Sequence, residues 1–343
     1  MIGAGSSRNY GQAIHGISGL LPPLNRDFFS MMRLVLLHDG LAKRREVRTV
    51  LQIICSSYGL TYDEQLGFLA HESVQDLEDV MTHLSIKREV LDPKQRTSRG
   101  PLPEETLKEL VAHTIERALE GPACQLHRHL ARRITHDDVV INFNYDTLLD
   151  EAFKSEGKAD DGSYSVPFYR ALSSTGADRM IQAGDGVEIL KPHGSLNWLR
   201  CLECSSLVLL DDPRTVSGYT QPPAPRVRCP RCHRNKQSLI TVIVPPIQTK
   251  AYAEDPFRFI WMHAADRIRE CQTVVAIGYR FSESDRAAAT LLREGIGAGK
   301  LIKIRLVNST QDRGGLERRV AKILPKADPS WSPSLATFLS SSP

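Results

Sequence analysis

Apolar residues in the first third of the chain recur every three or four positions, as with Phe28, Met31, Met32, Val35 and Leu36. That spacing predicts helices over residues 26–58 and 63–91. Residues 92–103, rich in Pro, Gly, Ser and basic side chains, predict an exposed loop. Helical spacing resumes over 104–119, with Glu104 and Glu105 in the first turn, where the helix dipole favours carboxylates. A further helix is expected over 124–134, after Gly121-Pro122. Beyond residue 138 the pattern changes to short β-rich runs at 139–143, 187–190, 239–244, 273–277 and 301–307, with helical segments at 255–271 and 284–295. Such alternation predicts an α/β fold with a largely parallel sheet. Ligands of such sheets bind beyond the carboxyl ends of the strands. No internal repeat is present, and the Pro and Ser content from residue 325 onward predicts a loosely packed tail.

Length and composition narrow the class. A chain of 343 residues with 41% hydrophobic and 24% charged residues can bury a large core and reads as globular. The net charge of +4, from 44 basic and 40 acidic residues, is too balanced to predict nucleic-acid binding. The basic clusters at 43–45 and 226–234 read as solvated faces. The first residues lack the basic-then-apolar pattern of a secretory signal, and the longest apolar runs, at 34–37 and 240–246, are too short to span a bilayer. A cytoplasmic protein without a membrane segment is expected.

Cysteine usage points to a metal. Cys201 and Cys204 form one Cys-x-x-Cys pair, Cys229 and Cys232 a second, and 24 residues lie between them. This spacing suits a tetrahedral four-thiolate Zn2+ site. Four thiolates leave no open coordination position, so such an ion folds a loop rather than doing chemistry. His233 is a bystander in this reading, and Cys55, Cys124 and Cys271 read as small core residues.

Five short motifs follow predicted strands or the chain start: residues 3–7 (Gly3-Ala4-Gly5-Ser6-Ser7), 142–146 (Asn142-Phe143-Asn144-Tyr145-Asp146), Pro192-His193-Gly194-Ser195, Gly278-Tyr279-Arg280, and Asn308. Singly, each reads as a turn, a strand exit or a helix cap. Together, at successive strand ends, they point to one crevice.

The order of these motifs, with the two cysteine pairs between His193 and Gly278, resembles the sirtuins. The stretches "NFNYDTLLD", "KPHGSLNW" and "VVAIGYRFSESD" look most like divergent bacterial sirtuin-like domains, many of which consume NAD+ in antiphage defence. The resemblance runs from Gly3 to about Asn308. It implies a sirtuin-type Rossmann-like domain over 1–325, with a helical insertion at about 26–134, a zinc-binding module at about 195–238 and a tail at 326–343. Gly3, Ala4, Gly5 and Ser6 would cradle the NAD+ pyrophosphate, aided by a following helix N-terminus. Asn144 and Asp146 would lie beside the nicotinamide ribose, His193 would be the catalytic histidine, and Gly278 and Asn308 would line the adenosine side. NAD+ would be the substrate and Zn2+ structural.

Three departures from the deacylases of that family favour water as the acceptor, hence an NAD+ glycohydrolase. The nearest match to their Gly-Ile-Pro-Asp-Phe-Arg stretch is "PPLNRDFF", in which Pro23, Arg26, Asp27 and Phe28 are only loosely equivalent. Their Val-x-Phe-Gly-Glu peptide-binding strand is replaced by "ITVIVPPIQTK". Asn144 and His193 stand 49 residues apart, because a polar segment over 154–186, expected to cover the cleft, is inserted. The alternative is an NAD+-dependent protein deacylase. A second alternative is a non-catalytic nucleotide-sensing module whose zinc loop contacts a partner or nucleic acid through Arg226, Arg228, Arg231 and Arg234. Uncontrolled NAD+ hydrolysis is toxic, so control by a homo-oligomer or regulatory partner is expected. Only Met1 and Ile2 precede the glycine turn, where a buried strand is expected, so the start is read as truncated or misassigned.

Overall fold

The computed structural model describes residues 1–8, 10, 13–63, 76–87, 103–171, 180–181, 184–210, 229–233, 239–244, 257–282, 285–297 and 302–341. Its helices are α1 (Phe28–His38), α2 (Arg45–Ser57), α3 (Leu77–Ile86), α4 (Pro103–Ala118), α5 (Gln125–Arg133), α6 (Leu148–Ser155), α7 (Phe257–Glu270), α8 (Arg286–Ile296), α9 (Arg313–Ile323) and α10 (Leu335–Ser340). Its strands are β1 (Val139–Ile141), β2 (Phe168–Ala171), β3 (Met180–Ile181), β4 (Glu188–Leu190), β5 (Gly194–Cys201), β6 (Leu207–Leu210), β7 (Leu239–Ile243), β8 (Thr273–Ile277), β9 (Lys303–Val307) and β10 (Asp328–Ser332).

The expected parallel sheet is present in two pieces joined by a single residue. β1 pairs with β4, and β9 lies between β8 and β10, all in parallel. Ile2 bridges the pieces: its amide donates to Ile141 O at 2.9 Å and its carbonyl accepts from Phe143 N at 2.9 Å. On the other side Met1 O accepts from Ile277 N and Gly3 N donates to Ile277 O, both at 2.9 Å. Met1 and Ile2 thus stand in the slot between β1 and β8 where a central strand belongs. The Met1 amine donates to Val275 O at 2.7 Å, and burial pushes its pKa down to about 5.

Elsewhere the sequence expectations are refined or corrected. The helix expected over 26–58 is two helices, broken at Asp39-Gly40, with Gly40 at φ +67°. The 239–244 run is not in the parallel sheet: β7 pairs antiparallel with β5 in a second sheet of order β3-β2-β6-β5-β7. Of the 154–186 segment, the described residues pack inward, with Tyr164 and Phe168 buried against Trp198 in the main core; residues 172–179 and 182–183, on which the expected cover of the cleft also rests, lie outside the described residues. The tail is not loose either. Asp328–Ser332 adds a parallel strand beside β9, and Leu335 is buried in the main core, since pairing an edge and burying a leucine outweigh a Pro- and Ser-rich composition.

The second sheet is buried on both faces. Trp198, Leu207, Leu209 and Val242 join the core of the parallel array, whereas Leu196, Leu199, Val208, Leu210 and Ile243 pack on the helical insertion. Val50, Leu51 and Ile54 of α2 and Leu107 and Val111 of α4 supply the other side of that contact. A register shift between Gly194 and Leu199 puts Leu196 and Leu199 on one face despite their odd spacing. The sheet so anchored carries His193 at its start and the cysteine pairs at its far end.

Candidate functional site

Segments leaving the carboxyl ends of the parallel strands converge. After Ile2 the chain makes one 3₁₀ turn, Ala4–Ser6, and its glycines are set by backbone packing. A Cβ on Gly5 would lie 2.8 Å from Gly278 O, and Gly278, at φ +62°, could carry one only 2.1 Å from Ser6 N. The two turns therefore lie backbone against backbone. Gly5 N donates to Gly278 O at 3.0 Å, Gly3 N to Ile277 O at 2.9 Å, Ser6 N to Gly3 O at 2.9 Å and Ser7 N to Ala4 O at 3.2 Å. Among the described residues no helix begins directly after this turn, where the expectation placed a helix N-terminus, and the turn offers the exposed Ala4 and the Ser6 hydroxyl rather than a row of free amides.

The loop after β1 is locked to this turn by side chains. Asn144 Nδ2 donates to Ser6 Oγ at 3.2 Å and Ser7 Oγ at 3.3 Å. Ser7 Oγ in turn donates to Asp146 Oδ2 at 2.9 Å, while Asp146 Oδ1 accepts from Leu148 N at 3.2 Å at the start of α6. Asn144 and Asp146 are thus brought together with Ser6, and the joint is Ser7, the last residue of the glycine-turn motif. Beneath them, the fully buried Lys191 donates to Asp146 O at 2.7 Å and pairs with Asp150 at 3.3 Å; Tyr164 OH donates to Asp150 Oδ1 at 2.7 Å. No sequence signal links Lys191 to Asp150, 41 residues earlier.

His193, 4% exposed, follows β4 and sits in an aromatic surround. Phe143 meets it edge-on at 5.1 Å between ring centroids, Trp261 lies at 6.0 Å and Tyr145 at 6.5 Å. Its Nε2 is 3.7 Å from Asp285 Oδ2. Asp285 caps α8 through Ala288 N at 3.2 Å and accepts from Tyr279 OH at 2.5 Å. Burial pushes its carboxyl pKa up, but His193, Tyr279 and the Ala288 amide outweigh this, and the net shift is downward. In the sequence Asp285 closes the stretch "VVAIGYRFSESD" and opens a helical run, but nothing local links it to His193. Asn308 is tied to the Gly278 turn through Tyr279 O at 3.4 Å and to β10 through Ser332 O at 3.1 Å.

Asn142 Nδ2 and Asn144 Oδ1 are buried here with no hydrogen-bond partner among the described residues, whereas His193 Nε2, also without a hydrogen bond, is turned to Asp285 Oδ2 at 3.7 Å. Buried polar atoms are normally satisfied, so orphans at the strand ends fit a site built for a polar ligand.

At the other end of β5, Cys201, Cys204, Cys229 and Cys232 place their sulfurs within 4.8 Å of one another. The Cys201–Cys232 and Cys204–Cys229 separations are both 3.6 Å. A tetrahedral ion with metal–sulfur bonds near 2.3 Å has sulfur edges of about 3.8 Å, so the four thiols fit Zn2+. Each knuckle closes the same way. Ser205 N donates to Cys201 O and His233 N to Cys229 O, both at 2.8 Å, with Ser205 and His233 at positive φ. His233 therefore shapes the second knuckle and is not part of the sulfur cluster. Arg226, Arg228 and Arg234 lie outside the described residues, and Arg231 donates to Ser206 Oγ at 3.2 Å.

The chain thus has a mixed α/β fold with parallel strands, a helical insertion and a four-cysteine module. No family model and no curated protein sequence matches it. Among solved structures it is similar to a Sir2 homologue in complex with ADP-ribose, at 14% identity and a TM-score of 0.39, covering 71% of this chain and 78% of that one. It is similar to a Sir2 homologue–NAD complex at 15% identity and a TM-score of 0.38, covering 70% and 72%. A Sir2 homologue complex with 2'-O-acetyl ADP-ribose gives 15% identity and a TM-score of 0.42, covering 85% and 92%. Likenesses this distant carry no residue assignment. No helix among the described residues is long and apolar enough to cross a membrane.

Proposed function

We propose that this chain is a sirtuin-like enzyme that consumes NAD+ and cleaves its nicotinamide–ribose bond with water. The observation that carries the reading is the loop after β1, in which Asn144 and Asp146 are both bonded to Ser7 and the flanking Phe143 and Tyr145 rings lie 5.1 and 6.5 Å from His193, with Asn142 Nδ2 and Asn144 Oδ1 buried and without a partner among the described residues. In the reaction the C1'–N bond breaks, nicotinamide leaves with the electron pair, water oxygen bonds to C1', and the water proton passes to the protein. The net change is NAD+ plus water to nicotinamide, ADP-ribose and a proton.

The roles follow from chemistry. Asn144 Nδ2 is held by two serine hydroxyls, which leaves its buried Oδ1 as the acceptor for water or a ribose hydroxyl. His193 takes the proton, the task for which an imidazole is suited near neutral pH. Asp146 is committed to Ser7 and the start of α6 and positions the loop. Ala4 and Ser6 face the phosphates, with Gly3, Gly5 and Gly278 permitting the close approach of the turns, and Asn308 borders the adenosine side. Zn2+, held by Cys201, Cys204, Cys229 and Cys232, keeps the end of β5 folded.

A protein-deacylase reading retains one observation: β7 stands at the end of the strand order in the second sheet, where an extended acyl-lysine peptide could add. Purified protein with NAD+ and no acylated peptide, followed for nicotinamide release, decides between them. Release without peptide, reduced at least roughly 100-fold by N144A and by H193A, is expected. Release only on adding an acyl-lysine peptide would establish the deacylase, and failure to bind NAD+ would overturn both.

A further inference from the structure

We infer that Asp285 is a positioning residue for His193, so that the proton-accepting group of the site is a buried imidazole–carboxylate pair held by Tyr279. The inference rests on the NAD+-cleaving reading only for its kinetic consequence. The geometry stands by itself.

Asp285 is 4% exposed and begins α8, yet one oxygen suffices for capping. Oδ1 accepts from Ala288 N, while Oδ2 faces the turn after β8 and the histidine, accepting from Tyr279 OH at 2.5 Å with His193 Nε2 at 3.7 Å. A capping aspartate that needed only the helix would leave Oδ2 to solvent. Here Oδ2 is buried beside His193, whose Nε2 has no hydrogen-bond partner among the described residues. Tyr279 is itself fixed by stacking on Phe143 at 4.7 Å, and Phe143 packs edge-on against His193. Carboxylate, phenol and imidazole are therefore held by one aromatic cluster. A buried carboxylate beside an imidazole fixes which ring nitrogen carries hydrogen and stabilises the imidazolium formed when the ring takes a proton. With Nε2 turned to Asp285, Nδ1 is the nitrogen that receives the proton from water, and the carboxylate itself is not protonated. Among the described residues, the groups that meet Asp285 include His193 after β4, Tyr279 after β8 and the Ala288 amide of α8.

The discriminating variant is D285N, because asparagine can keep its one carbonyl oxygen on the Ala288 amide and so preserve the cap, while its NH2 replaces the oxygen that faces Tyr279 and His193 and the charge is lost. D285N is expected to keep the wild-type melting temperature and the KM for NAD+ within about twofold while kcat falls roughly 10- to 100-fold, part of the effect of losing the base itself. D285E should recover part of the loss. A readout independent of turnover is the carboxyl carbon-13 titration of Asp285, which should lie below the ordinary carboxylate range in the wild type and move upward in H193A. Unchanged kcat in D285N, or an Asp285 titration indifferent to H193A, would overturn the pairing. A coupled titration in a protein that does not cleave NAD+ would keep the pair and sink the NAD+ reading instead.

Discussion

Ser7 donates its hydroxyl to Asp146 Oδ2 at 2.9 Å, across 139 residues of sequence, and so fastens the turn after Ile2 to the loop after β1. The same hydroxyl accepts from Asn144 Nδ2 at 3.3 Å. S7A therefore removes the donor from a buried carboxylate and one of two anchors of Asn144. A loss of about 1–3 kcal/mol in urea unfolding is expected. A stability equal to wild type would mean that the loop is held elsewhere.

Lys191 and Asp150 form a fully buried ion pair, with Lys191 also bonded to Asp146 O. Removing one partner strands the other charge, so K191M should cost about 3–5 kcal/mol. The double variant K191M/D150N removes both charges and keeps an acceptor for Tyr164 OH. It is expected to recover more than half of the loss in the same unfolding measurement, which is the signature of a stranded charge rather than of lost packing.

Gly278 has φ +62° and no room for a side chain against Ser6 N. G278A should separate the two turns, lower the melting temperature by several degrees, and weaken NAD+ binding measured by calorimetry. G40A, at a position of similar φ with nothing within 4 Å, is the control: it carries backbone strain alone and should leave NAD+ binding unchanged.

Metal content provides a fourth check. Elemental analysis should give one Zn2+ per chain, and cobalt substitution should give the thiolate charge-transfer bands of a four-sulfur site. C229S should lose the ion and the folding of the β5 end together. Chelation should lower the melting temperature of wild type but not of C229S.

Acid should loosen the helical insertion in two stages. Burial lowers the pKa of His113 below 6.5 despite its 2.7 Å bond to Asp39, so below about pH 6.5 the unfolded chain binds a proton the folded one refuses. Stability is lost as pH falls through that window. Burial raises the pKa of Asp39, but His38, His113 and Arg117 outweigh it and hold the carboxyl below 3.8, so its contribution persists until pH drops further still. H113Q should show a smaller fall in urea midpoint between pH 7 and 5 than wild type. The remaining fall belongs in part to His127, whose pKa burial lowers likewise.

How much of this was legible depends on the range of the interaction. The run 273–277 coincides with β8, and 239–244 nearly with β7, because β-branched residues bounded by polar ones mark a strand locally. Where β7 pairs is not local, and its assignment to the parallel sheet failed. β5 carries no local strand signal, since Asn197 and Arg200 interrupt its apolar character; its burial on both faces comes from partners far away in the chain. The tail misled for the same reason: Trp331 and Leu335 become core-facing only because β9 offers an unpaired edge.

The sequence by itself determined the order of the turns, the two cysteine knuckles and the residue types gathered at the strand ends, because each is written in a few adjacent residues. The tertiary structure alone decided that Ser7 joins Asn144 to Asp146, that Lys191 lies under the loop, and that the helix-capping Asp285 faces His193. Those pairings span tens to more than a hundred residues. They exist only once the parallel strands have brought their carboxyl ends to one edge, since a side chain's partner across such a distance is set by sheet order and not by spacing.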